Sequence, residues 1–81
     1  MKNHLEIIRE IDQLLTDQNM ETERKQLENE VKASATGSEI CSRYGSKLLA
    51  LQNKNKDFDL VAGHLITEFI SYCHAVGIRP L

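Results

Sequence analysis

The chain has 81 residues, 27% of them charged, a formal net charge of −2 and two cysteines. A domain of this length buries only ~60% of its unfolded surface, so alone it is marginally stable and has little interior to give to a substrate cleft. Near-neutral charge argues against a broad basic footprint for nucleic acid, and two cysteines exclude a disulfide-dense secreted framework.

In "NHLEIIREIDQLLTD", Ile7, Ile8, Ile11, Leu14 and Leu15 share one side of a helical wheel. This predicts a first helix over 3–16, with Asn3 as its N-cap. Charges run throughout "MKNHLEIIREIDQ", which is not the pattern of a secretion signal. The run "TDQN" predicts a break, because short polar side chains bond locally to backbone and compete with the helix. A single long helix through this point is the alternative. "METERKQLENEVKAS" then predicts a second helix over 20–34, whose apolar stripe is only Met20, Leu27 and Val31. Glu21 with Lys25, and Glu28 with Lys32, have the favourable i,i+4 order.

"ATGSE" is the clearest internal boundary. Thr36 and Glu39 have capping-box spacing, with Ser38 as an alternative cap. The third helix is predicted over 38–53, with Ile40, Tyr44, Leu48 and Leu51 inward. Arg43, Lys47 and Lys54 line one of its ridges and Lys56 follows, a possible anion-binding ridge of the kind a helix-turn-helix reader uses. Acidic side chains of the second helix are available to cover it.

"QNKNKD" ends the third helix, and Asp57 is the predicted N-cap of a fourth over 57–76, with Asp59 in its first turn. Apolar residues cover about half of this helix, more than the stripe of roughly 100° that a surface helix needs. Ile66 and Ile70 lie at the margin of the arc and are expected to stay uncovered, forming with Gly63 a partner-binding surface and a possible homodimer contact. Gly63 and Gly45 each cost ~1 kcal/mol against alanine inside a helix, and close approach of another helix is the expected reason. At the end, "SYCHAVGIRPL" reads as a helix stop: Gly77 at the left-handed C′ position, Ile78 folded over Cys73, and Pro80 preventing resumption.

The residues able to bind metal are His4, Cys41, His64, Cys73 and His74, with neither C-x-x-C nor H-x-x-x-H spacing among them. Adjacent Cys73 and His74 point about 100° apart on a helix, a poor chelate. Cys73 falls in the apolar arc with Phe58, Ala62 and Phe69, and Cys41 at the edge of the core face. His64 and His74 fall on the polar side with Thr67 and Ser71. His64, Glu68 and Tyr72 share one helix edge and could form an acid–base row. The glycines are isolated from one another, so there is no phosphate loop. Glu68 also interrupts the longest apolar stretch, "LVAGHLITEFISYCHAVGI", and argues against a membrane span.

The expectation is an all-α fold, a small four-helix bundle, mostly antiparallel, with the fourth helix most buried. No catalytic residue, metal or cofactor is expected, and the expected setting is a reducing cytoplasm. The leading function is a small non-catalytic protein-interaction module, with a nucleic-acid-binding regulator using the third-helix ridge as the alternative. In size, cytosolic character and helical-bundle architecture the chain is similar to small bacteriocin-immunity proteins, a resemblance that carries no motif.

Overall fold

A computed structural model describes residues 2–77. The described residues form four α-helices: α1 (His4–Asp17), α2 (Glu21–Ala33), α3 (Gly37–Lys54) and α4 (Lys56–Ala75). No strand occurs among the described residues. Each boundary lies within one residue of the expected one.

The joints explain why these are four helices. Asn3 Oδ1 accepts from the Glu6 N–H at 2.9 Å, capping α1 as its spacing predicts. At the other end of α1, Asn19 takes the left-handed conformation, φ 57°. Its N–H donates to the Thr16 carbonyl at 3.2 Å, and the Met20 N–H donates to the Leu15 carbonyl at 2.8 Å. This pair of bonds is a Schellman stop built on asparagine, one of the few residues besides glycine that enters that region readily. It settles the first question: α1 and α2 are separate.

Thr36 Oγ1 accepts from the Glu39 N–H at 3.2 Å, so Thr36, not Ser38, caps α3. Replacing Thr36 with alanine should cost about 1 kcal/mol. Chemical denaturation measures this, and an unchanged midpoint would remove Thr36 from any capping role.

The start of α4 differs from expectation. Asn55, not Asp57, is the cap: its Oδ1 accepts from the Asp57 and Phe58 N–H groups at 3.0 and 3.2 Å. Asn55 is also the C-cap of α3, its N–H donating to the Leu51 carbonyl at 3.0 Å. One residue therefore serves both helix ends, and Asp57 sits inside the first turn, where its charge meets the positive end of the dipole. Gly77 closes α4 with φ 79° and donates to the His74 carbonyl at 3.0 Å, as the helix-stop reading expects. The expected cover of Ile78 over Cys73, and Pro80, lie outside the described residues.

The helices pack as a bundle around one continuous core. α1 contributes Ile7, Ile11 and Leu15, α2 only Leu27, and α3 Cys41, Tyr44, Leu48 and Leu51. α4 contributes Phe58, Ala62, Leu65, Ile66, Phe69 and Cys73. Tyr44 and Phe69 tilt against each other at its centre, ring centroids 5.2 Å apart. α2 is the most weakly seated by apolar area and is held by charge instead. Arg24 forks onto Glu21 at 2.6 and 3.0 Å and also reaches Glu28 at 2.8 Å and Asp12 of α1 at 3.3 Å. Glu28 pairs with Lys32 at 2.8 Å as expected, whereas Glu21 takes Arg24 in preference to Lys25.

Candidate functional site

Between α3 and α4 runs a groove of about 350 Å³, lined by Leu49 and Gln52 from α3 and by Ile66, Thr67, Ile70, Ser71 and His74 from α4. Both isoleucines singled out in the sequence lie here, in different roles. Ile66 is 1% exposed and belongs to the core, so the expectation that it stands uncovered is corrected: α3 lies against that edge of the apolar arc. Ile70 is half-buried and packs on the core from the groove side. The apolar surplus of α4 emerges elsewhere. Leu60 is 81% exposed, Val76 48%, and Leu49 across the groove 37%.

Gly63 lies one turn before Ile66 and Thr67 on the same face. A Cβ there would meet Asp59 Oδ1 at 3.3 Å. That oxygen accepts from Gln52 Nε2 at 2.7 Å, tying α4 to α3 at the head of the groove. The glycine thus makes room for a carboxylate of its own helix, not for the close approach of another helix. Gly45 is buried within α3.

Charge is scarce along this face. From Leu60 to Gly77 the only Asp, Glu, Lys or Arg is Glu68. Glu68 is drawn away from the groove, its carboxylate 3.7 Å from Lys2 Nζ of α1's leading edge. The groove lining itself contains no Asp, Glu, Lys or Arg. This depletion of charge marks the buried centre of protein–protein interfaces and distinguishes them from ordinary surface.

The third-helix ridge faces α2. Arg43 Nε lies 3.4 Å from Glu30 Oε1, an ion pair too poorly directed to make a hydrogen bond. Lys47, Lys54 and Lys56 border a cleft of about 440 Å³ together with Glu23 and Asp57. These three lysines form no ion pair among the described residues, but acidic groups from α2 and α4 share their cleft, as the sequence allows.

The chemistry-bearing residues do not assemble. His64 and His74 are exposed, while His4 packs its ring on Tyr72 with centroids 5.5 Å apart. With Glu68 turned to Lys2 and Tyr72 against His4, the His64–Glu68–Tyr72 row is not drawn together. Among the described residues, no group of three or more His, Cys, Asp or Glu is close enough to hold a metal ion. Among the described residues, no helix is long and apolar enough to cross a membrane.

The two cysteines meet inside the core. Both are buried and free, which corrects the expected edge position of Cys41. The Cys73 thiol lies 4.0 Å from the Cys41 carbonyl and donates toward it. Burial, reinforced by the neighbouring Cys41 thiol, pushes Cys73 up to about 12 from an ordinary 9.0. The thiolate is the nucleophile, so this thiol is inert at neutral pH. Two outcomes follow. Native protein should label at Cys73 only at the rate of global unfolding; rapid labelling before unfolding would contradict the buried placement. Stability should also hold up to about pH 9 and fall as pH rises toward 12, because the unfolded thiol loses its proton first. Denaturation midpoints across that range measure the fall, and Cys73→Ala should reduce it, leaving the part above pH 10 that comes from the Tyr44 phenol, which burial also pushes up.

Comparison with known proteins finds no matching family model, no matching curated protein and no matching solved structure.

Proposed function

We propose that this chain is a small non-catalytic protein-interaction module that buries the charge-free face of α4 and the adjoining edge of α3 against a second copy of itself. The observation that carries this reading is the stripe Leu60, Gly63, His64, Thr67, Ile70, Ser71 and His74, without one Asp, Glu, Lys or Arg in a chain that is 27% charged. Leu49 and Ile70 give it apolar relief, and Gln52, Thr67 and Ser71 offer hydrogen bonds at its rim. Beyond Asp59 at its head, such a face carries no like charges to repel its own copy, so a two-fold contact centred on Thr67 and Ile70 is self-complementary. A domain this short also gains stability by covering it. A regulator, an inhibitor or an immunity-type protein is the kind of activity that fits a module without a catalytic cluster.

The bundle in this reading is antiparallel with α4 most buried, and the cross-helix contacts support it. His4, at the start of α1, meets Tyr72, near the end of α4. Asp12 meets Arg24, Glu30 meets Arg43, and Gln52 meets Asp59, each pairing a late residue of one helix with an early residue of the next.

Disulfide trapping tests the surface. Thr67→Cys places a thiol on the exposed centre of the stripe and should cross-link chains on mild oxidation. Lys25→Cys on exposed α2 should not. Equal cross-linking at both positions, or none at Cys-substituted Thr67, would count against the α4 face. The rival nucleic-acid reading rests on Lys47, Lys54 and Lys56 around their cleft. It requires duplex binding that weakens steeply with salt, and the carboxylates of Glu23, Glu30 and Asp57 on the same side oppose it.

A further inference from the structure

Cys41 and Cys73 are the chain's only cysteines, and the fold brings them together. They lie 32 positions apart in the chain, one on α3 and one on α4. Neither is more than 1% exposed. The Cys73 sulfur rests 4.0 Å from the backbone carbonyl of Cys41, and the Cys41 thiol is near enough to add to the hold on the Cys73 proton.

Contacts that the cysteines do not themselves make hold this register. Gln52 of α3 donates to Asp59 of α4 at 2.7 Å. Farther along the same seam, Tyr44 packs on Phe69 with ring centroids 5.2 Å apart. Cys41 and Cys73 follow one helical turn beyond that ring pair, each step back along α3 matched by a step forward along α4. Sliding one helix past the other by a turn would part the two sulfurs, but it would also break the ring pair and the hydrogen bond.

We propose that Cys41 and Cys73 are a redox pair that closes into an intramolecular disulfide, joining α3 to α4, when the chain meets a small-molecule disulfide as oxidant. A disulfide needs its two Cα atoms roughly 4.4–6.8 Å apart. One sulfur already touches the backbone of the other cysteine, so turning the two side chains, and not moving a helix, brings sulfur to sulfur. Burial keeps the folded thiols inert, so exchange starts from the unfolded chain. There one cysteine thiolate attacks the oxidant and releases one small thiol. Refolding delivers the second cysteine, which displaces the other. The protein's sulfur–sulfur bond forms as the oxidant's breaks, and the two electrons and two protons of the cysteine thiols leave on two small thiols. The closed bond restricts the unfolded chain and so stabilises a domain this short. Neither cysteine lines the groove between α3 and α4, so the bond is independent of association through α4.

Equilibration of the native full chain in glutathione redox buffers tests this, at low micromolar protein, in plain buffer and in concentrated urea. Reduced and oxidised chain are both used as starting material, free thiols are trapped by alkylation, and mass spectrometry without reduction counts the bridged form. The balance of bridged and open chain against the buffer gives the effective concentration of one thiol at the other. Folding should raise that value about tenfold to several-hundredfold over the value in urea, the upper end being the loop-closure limit for this separation. A rise short of tenfold, or a product that carries glutathione on separate cysteines with no bond between them, would overturn the proposal.

Discussion

Replacing Phe69 with alanine should destabilise the fold by about 3–5 kcal/mol. Phe69 is fully buried, packs ring to ring on Tyr44, and sits on α4 where α3 meets the core. Deleting it removes the transfer energy of the ring and leaves a cavity that fixed neighbours on helical backbones cannot collapse. The aromatic pair with Tyr44 adds about 0.5–1.5 kcal/mol to the loss. Native domains hold only about 5–15 kcal/mol in all, and one this short falls at the low end, so the variant should be largely unfolded near body temperature. With a urea slope near 1 kcal/mol/M, the midpoint should drop by about 3 M. Leu60→Ala supplies the contrast: at 81% exposure it should change stability by less than about 0.5 kcal/mol in the monomer. A small effect at Phe69 would mean that the core does not close around it.

The second large effect belongs to the interface. Ile70→Glu should weaken self-association about 30-fold or more, the scale of a central anchor residue. Ile70 is half-buried in the groove wall, so a longer polar side chain can turn outward and leave the fold intact. Across a two-fold contact it would bring a carboxylate into a face with no cation to meet it. Leu49→Glu, on the opposite wall, should act in the same direction. Lys25→Glu on exposed α2 should have no effect. If all three variants associate alike, the groove is not the contact.

Sequence carried much of this architecture, for local reasons. The period of Ile7, Ile11 and Leu15 marks a helix face without help from the rest of the chain. The Asn3 and Thr36 caps follow from side chains placed three residues before the N–H groups they accept from. Where the cap depended on how two helices join, the pattern misled. Asp57 is the expected cap of α4, but Asn55 takes the role, because one residue then both ends α3 and starts α4. Arg24 over Lys25 is a similar case: its planar fork takes both oxygens of Glu21 and still reaches α1.

The surfaces were less legible because they depend on which edge of an apolar arc a neighbour covers. A helical wheel shows that α4 has surplus apolar area but not where α3 will land. α3 covers Ile66, and Leu60 emerges in its place. The scarcity of charge after Leu60 is written in the sequence, where Glu68 is the one Asp, Glu, Lys or Arg from 60 to 77.

Sedimentation equilibrium of the native chain and Ile70→Glu, from low micromolar to several hundred micromolar, tests association through α4 most directly. The native protein should pass with concentration from a 9.2 kDa species to one of twice that mass, while Ile70→Glu stays at 9.2 kDa throughout. A native chain that remains at 9.2 kDa over the whole range, or a variant that associates as readily as the native chain, would contradict it.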